Sequence, residues 1–305
     1  MSDYPAFHYH KTLMIQRMPF ALPLCLVLAG CGSLSRHGPI DPALAAFISP
    51  DTVALAGIRM DQVRATPIYR KLAEQNRLPR FDQFRTDSGF DPGSDLHDLL
   101  LSSDGKNVLA AAHGTFTAKP AGSLHTSEYK GYTLYAKYDS EAIVFIDKSI
   151  VLGGPSASVR AAIDQYKSGG RGAPRGLMAR AEALPGDTQI WAVVVGWRGA
   201  TPDQLREMGN LGNLDRMLRS VEDANFMVDL RTGVHAAVTG DCRTEADARN
   251  LADSLRGLTA LARMGVSRKQ PDLQHALDTI QVTQEGRVVR VHADIAEDLA
   301  EKLVR

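Results

Sequence analysis

The chain has 305 residues, 44% hydrophobic and 23% charged, with 35 basic and 35 acidic side chains. This is the composition of an ordinary globular protein, and it excludes the disordered and fibrous classes. It also excludes an electrostatic nucleic-acid binder, because removing residues 1–30 takes away only Lys11, Arg17 and Asp3 and leaves 33 basic against 34 acidic groups.

The first element is a leader. Residues 18–29 form an apolar run of signal-peptide length, too short to cross a bilayer as a lasting helix, with Arg17 and Lys11 on its positive side. Leu28-Ala29-Gly30-Cys31 follows: small residues let an extended chain enter a peptidase, and the Cys31 thiol is the group to be acylated. These four residues match the lipobox at every position, so the chain resembles bacterial lipoproteins over its first tenth.

The resemblance implies a signal peptide over residues 1–30, cleavage between Gly30 and Cys31, and fatty acyl chains, palmitate among them, on Cys31. Each buried methylene adds about 0.8 kcal/mol, so two or more chains hold a protein firmly on a membrane. Gly32 stands where lipoproteins kept in the inner membrane often carry Asp, which points to the outer membrane and a periplasm-facing domain. Asp3 and three aromatics precede the first basic residue, so translation is expected to begin at Met14. With Cys25 cut away and Cys31 acylated, Cys242 has no partner in the chain and is expected to be buried and inert.

Residues 31–44 read as the acylated cysteine and a tether, and the fold is expected from residue 45. Residues 52–59 read as a buried strand, and Thr66-Pro67 as a helix start with a capping hydroxyl and proline in the first turn. Phe81 and Phe84 continue an apolar face. Strands are expected at residues 99–102, 108–116, 132–138 and 142–152, the last broken into a hairpin at Asp147-Lys148. Ser156 then reads as the cap of a helix carrying Val159, Ala162, Ile163 and Tyr166 at helical spacing.

Glycines crowd residues 169–176, the strongest break in the chain, and a connection over 171–188 is expected to separate two halves, 45–170 and 189–305. The second half opens with a strand at 189–197 and a capping box at Thr201-Pro202-Asp203-Gln204. Paired strands at 225–230 and 233–240, a long helix at 245–264, a hairpin over 279–282 and 287–293 turning at Glu285-Gly286, and a short final helix complete it. The fold class expected is α+β: two similar halves, each a mainly antiparallel sheet packed with helices.

Gly57-Ile58-Arg59 with Ala65-Thr66-Pro67 answers Gly196-Trp197-Arg198 with Ala200-Thr201-Pro202, which makes the halves read as an internal tandem repeat, with independent origin as the alternative. In the first half residues 118–126 read as a short irregular connection where the second has its long helix. Through Tyr129-Lys130-Gly131-Tyr132, Gly89-Phe90-Asp91-Pro92 and the strand-then-Ala-Thr-Pro opening, the body resembles bacterial envelope lipoproteins of unknown function, a likeness that implies no activity.

No catalytic constellation is visible. His97, His113, His125, His235, His275 and His292 are scattered singly, without the His-Glu-x-x-His of zinc hydrolases. Gly-x-Ser-x-Gly, a Walker loop and a dinucleotide fingerprint are missing, so neither serine-hydrolase nor nucleotide chemistry has support. Three places nevertheless hold chemistry-bearing residues. Gly153-Gly154-Pro155-Ser156 joins strand to helix where amides could meet an anion, Asp87, Asp91 and Asp95 offer oxygen ligands at a spacing foreign to EF-hands, and His113 and His235 could face each other as bases. Turn, cap and solvated-strand roles are the plainer readings of all three.

Trp191 and Trp197, six residues apart on one strand, share a face that fills a core or lines a groove. The expectation is a non-enzyme without metal or cofactor that binds an envelope protein or an apolar ligand at the membrane. The alternative is a hydrolase of envelope polymers whose site is assembled from distant residues.

Overall fold

The computed structural model describes residues 38–75, 90–116, 124–136, 138–170, 172–196, 220–267 and 270–303. The expected leader with Cys31, Phe81, Phe84, Asp87, Trp197 and the expected capping box at Thr201 lie outside these residues. Among the described residues no helix is long and apolar enough to cross a membrane.

Twelve antiparallel strands form one sheet. They are β1 (Ala54–Arg59), β2 (Leu96–Ser103), β3 (Val108–Gly114), β4 (His125–Tyr129), β5 (Tyr132–Ala136), β6 (Glu141–Phe145), β7 (Ile150–Pro155), β8 (Ile190–Val194), β9 (Val221–Asp229), β10 (Gly233–Cys242), β11 (Gln281–Glu285) and β12 (Val288–Ala296). Their order across the sheet is β11-β12-β10-β9-β8-β1-β2-β3-β7-β6-β5-β4. The two sheets expected from the sequence are therefore one, because β1 pairs with β2 on one edge and with β8 on the other.

Side-chain alternation assigns the helices to faces. Leu55 stands in register, through Val193, Asn225 and Thr239, with Arg290, so these residues share one face and Val289 points to the other. On the Leu55 face, α1 (Pro42–Ala45), α4 (Ser156–Lys167) and α5 (Arg175–Glu182) bury Leu44, Val159, Ile163, Leu177 and Ala181 against Leu100, Leu152 and Trp191. On the Val289 face, α6 (Glu245–Gly265) packs Ala248, Leu251 and Ala252 against Val289 and Cys242. Phe90 and Phe116 close the same face of the first half over Ala112 and Val151, their rings 4.8 Å apart and edge to face.

Helices α2 (Met60–Arg64) and α3 (Pro67–Glu74) follow β1 directly. Thr66 Oγ1 accepts from the Tyr69 amide at 3.3 Å, the cap expected at Thr66-Pro67. Helix α7 (Pro271–Asp278) precedes the last hairpin and α8 (Glu297–Leu303) ends the described chain, with Lys71 Nζ of α3 3.3 Å from Glu301 of α8.

Several expectations need correction. Residues 38–44 are not a free tether: Gly38 has no room for a Cβ, which would lie 2.6 Å from the Ala181 carbonyl, Pro39 is buried and Leu44 is fully buried. Strand β4 lies where part of an irregular connection was expected. Its residues are exposed on both faces, so no apolar alternation marks them, and the turn Lys130-Gly131, with φ of 49° and 86°, folds it onto β5. Ser156 is not a cap, since β7 runs to Pro155 and leaves Ser156 inside the first turn, where its hydroxyl donates to the Asp139 carbonyl at 2.8 Å. Helix α5 lies within the stretch expected to be a bare connection.

Trp191 is 1% exposed and its ring lies over Gly57, its cross-strand partner, where an added Cβ would sit 2.4 Å from the indole. Gly57→Ala is therefore expected to destabilise the protein by about 2 kcal/mol, as forced overpacking does, seen as a lowered urea midpoint with an unchanged m-value.

Candidate functional site

Where β1 ends, three neighbouring strands put Arg59, Asp98 and His113 in one row, because Arg59 stands opposite Asp98 and Asp98 opposite His113. All three point to the face that α1 covers, so the row is capped from above by Asp41. The Asp41-Pro42 pair starts α1 with a short acceptor side chain followed by proline, and Asp41 Oδ1 accepts from the Ala43 amide at 2.8 Å. Its second oxygen, Oδ2, meets His113 Nδ1 at 2.5 Å. A carboxylate only accepts, so the Nδ1 proton belongs to the imidazole, and Nε2 is left without a hydrogen-bond partner among the described residues.

The register shifts between Leu96 and Asp98, so His97 is bulged and joins the same edge of the sheet. His97 Nδ1 meets Asp61 Oδ2 at 2.9 Å and its Nε2 meets Thr115 Oγ1 at 3.1 Å, with its ring centroid 6.2 Å from that of His113. Burial pushes the Asp61 carboxyl up, but hydrogen bonds from His97 and Arg64 outweigh it and leave the group below its ordinary range. Asp98 goes the other way. Burial and the neighbouring charge of Asp41 raise it, against the attraction of Arg59 and His113. Arg59 is 3.7 Å from Asp98 and also donates to the Gly186 carbonyl, so its charge is divided.

Two cavities adjoin the row. A cavity of about 310 Å³ has Gly38, Asp41, Arg59, Asp98 and Gly186 in its walls. A second of about 10 Å³ lies deeper, against Asp41, Gly57, Asp98 and Trp191. One ligand atom each from Asp41, Asp98 and His113 lie within 4.8 Å of one another, a set of two carboxylates and one imidazole that suits a divalent cation.

The sequence pointed elsewhere. His113 is in this row, but β2, β1, β8 and β9 separate it from His235 on β10. At about 4.8 Å per strand spacing that is on the order of 24 Å, so the two imidazoles do not act on one substrate. His235 instead pairs with Asp294 at 2.9 Å. Asp91 and Asp95 take the turn roles: Asp91 Oδ1 accepts from the Gly93 amide and Asp95 Oδ2 from the Asp91 amide, each at 2.8 Å. Gly153 of β7 has partners on both neighbouring strands, Gly154 pairs with Ala142, and the Ser156 amide donates to the Ser140 carbonyl, so the turn is taken up by the sheet. Asp41, Arg59 and Asp98 were missed, the only available signal being the cap-like Asp41-Pro42 pair.

No family model and no curated protein matches the chain. Among solved structures, crystal form I of a protein named TP0453 is similar, at 9% identity and a TM-score of 0.47 over 87% of this chain and 95% of that one. Crystal form IV gives 9% identity and a TM-score of 0.48 over 87% and 97%. A likeness at that level carries no conclusion about activity.

Two outcomes follow from this geometry. Asp41→Ala removes both the α1 cap and the partner of His113 and is expected to cost about 1–2 kcal/mol, most of which Asp41→Asn should restore because Asn also caps well; urea denaturation of the two variants reads the difference. Opposite His235, Asp229 is held down to about 2, chiefly by hydrogen bonds from the Arg231 side chain, against its ordinary 3.8. Folding depresses this pKa, so the stability it contributes is present above pH 3.8 and is lost as the pH falls toward 2. Acid titration followed by circular dichroism should show Asp229→Asn losing that part of the pH dependence.

Proposed function

We propose that the chain is a lipid-anchored envelope lipoprotein whose body works by binding a protein partner or an apolar ligand at the membrane surface, outside the cytoplasm. The observation that carries this reading is the lipobox Leu28-Ala29-Gly30-Cys31 behind a basic, apolar leader. The anchor attaches just ahead of a packed body, whose described part starts at Gly38. Lipids on Cys31 hold the protein to the outer membrane, and the body faces the periplasm.

A binding role draws support from the separation of the polar groups that the sequence offered for catalysis. Of the residues a hydrolase would need to bring together, His113 and His235 have four strands between them and Asp91 closes a turn. A hydrolase of envelope polymers is the weaker reading for that reason.

The two halves are, in the same proposal, diverged copies of one unit. Read outward from the central pair, the strand orders are β1-β2-β3-β7-β6 and β8-β9-β10-β12-β11, which match position for position. Each copy leaves its third strand for an insertion, the β4-β5 hairpin in one and helices α6 and α7 in the other, then returns by a hairpin and ends in a helix. This correspondence supports duplication more strongly than the few matching letters do.

Cys31→Ala tests the anchor. The variant is expected to incorporate no labelled palmitate and to accumulate as an uncut precursor, read by gel mobility and membrane fractionation. Normal processing with unchanged membrane retention would defeat the reading.

A further inference from the structure

We propose that Asp41, Asp98 and His113 bind one divalent transition-metal ion of the borderline class to which zinc belongs. Their ligand atoms lie within 4.8 Å of one another, and each residue is brought by a different element: the start of α1, β2 and β3. Ligands placed tetrahedrally at about 2.0–2.2 Å from zinc are about 3.4 Å apart, so small side-chain rotations close the set around an ion. One imidazole with two carboxylates suits zinc better than magnesium, which demands octahedral oxygen ligands.

Two observations separate this row from an ordinary acidic surface. The Asp98 side chain is only 25% exposed, yet among the described residues it accepts no hydrogen bond, and the one cation in ion-pair range is Arg59, at 3.7 Å and shared with Gly186. A half-buried carboxylate with so little compensation is a group in want of a cation. Trp191 is the second: its Nε1 is fully buried and finds no acceptor among the described residues. The Nε1 edge of that indole lies over Gly57, and both residues line the 10 Å³ cavity together with Asp41 and Asp98. A space of that size holds about one water-sized group, so the indole N–H is a donor suited to an oxygen ligand that completes the coordination. The 310 Å³ cavity, which both carboxylates also line, leaves the ion an exchangeable position.

The inference does not depend on acylation of Cys31, so its failure and that of the lipoprotein reading are distinct results. The test is calorimetric titration of the chelator-stripped full chain in detergent with Zn²⁺ alone. One saturable zinc per chain is expected, weakened about tenfold or more by His113→Ala and separately by Asp98→Asn. Asp294→Asn, which breaks the other aspartate–histidine pair, should leave it unchanged. Thermal melting of the metal-free variants checks folding, and Asp98→Asn carries the test if His113→Ala does not fold. Absence of saturable zinc binding, equal binding by both site variants and the parent, or magnesium binding as tightly as zinc would each overturn the proposal.

Discussion

The antiparallel pairing of β1 with β8, from Ala54 opposite Val194 to Ile58 opposite Ile190, is the contact on which the rest of the sheet depends. Without it each half would end in a long unpaired edge, with backbone donors and acceptors exposed to any passing strand. With it, twelve strands run continuously and helices cover parts of both faces. The pairing also sets a steric condition. Trp191 crosses β1 at Gly57, the one position where the ring can lie against bare backbone, and so closes the core beneath α1 and α5.

The chain ahead of β1 completes that end of the molecule. Gly38 is wedged against the backbone of α5, and Asp41 spends one oxygen on the helix amide and the other on His113. A single carboxylate therefore fixes both the entry of the chain into the fold and the orientation of an imidazole. On β9 and β10 lies a differently balanced cluster. There Arg180 of α5 lies 2.7 Å from both Asp223 and Asp241, and Asp223 also accepts from the Gly196 amide. Those two carboxylates share a guanidinium at close range, whereas Asp98 has only a distant and divided one. One cluster of carboxylates thus has its charge satisfied at close range and the other does not.

Local elements were largely legible because their causes are local. The Thr66-Pro67 cap, the hairpins at Asp147-Lys148 and Glu285-Gly286 and the amphipathic helix over Glu245–Gly265 each rest on residues a few positions apart. Strand β4 escaped notice because both its faces are exposed and its composition is polar, so burial never imposed an alternation on it. Ser156 misled because a hydroxyl at a strand-to-helix joint resembles a cap whether or not the helix begins one residue earlier. Cys242 is free and buried, its thiol pushed up by burial, as expected of a cysteine with no partner in the chain.

The sequence by itself carries the proposed leader and lipobox, and it determined the alternation of strands and helices and the pairing of strands joined by short turns, since each depends on neighbours along the chain. Only the tertiary structure decided that β1 meets β8, that four strands lie between His113 and His235, and that Asp41, Arg59, Asp98 and His113 converge. The reason is physical: pleating and helical pitch leave a period in the letters, but the choice between distant strand edges is made by the packing of both whole faces and leaves none.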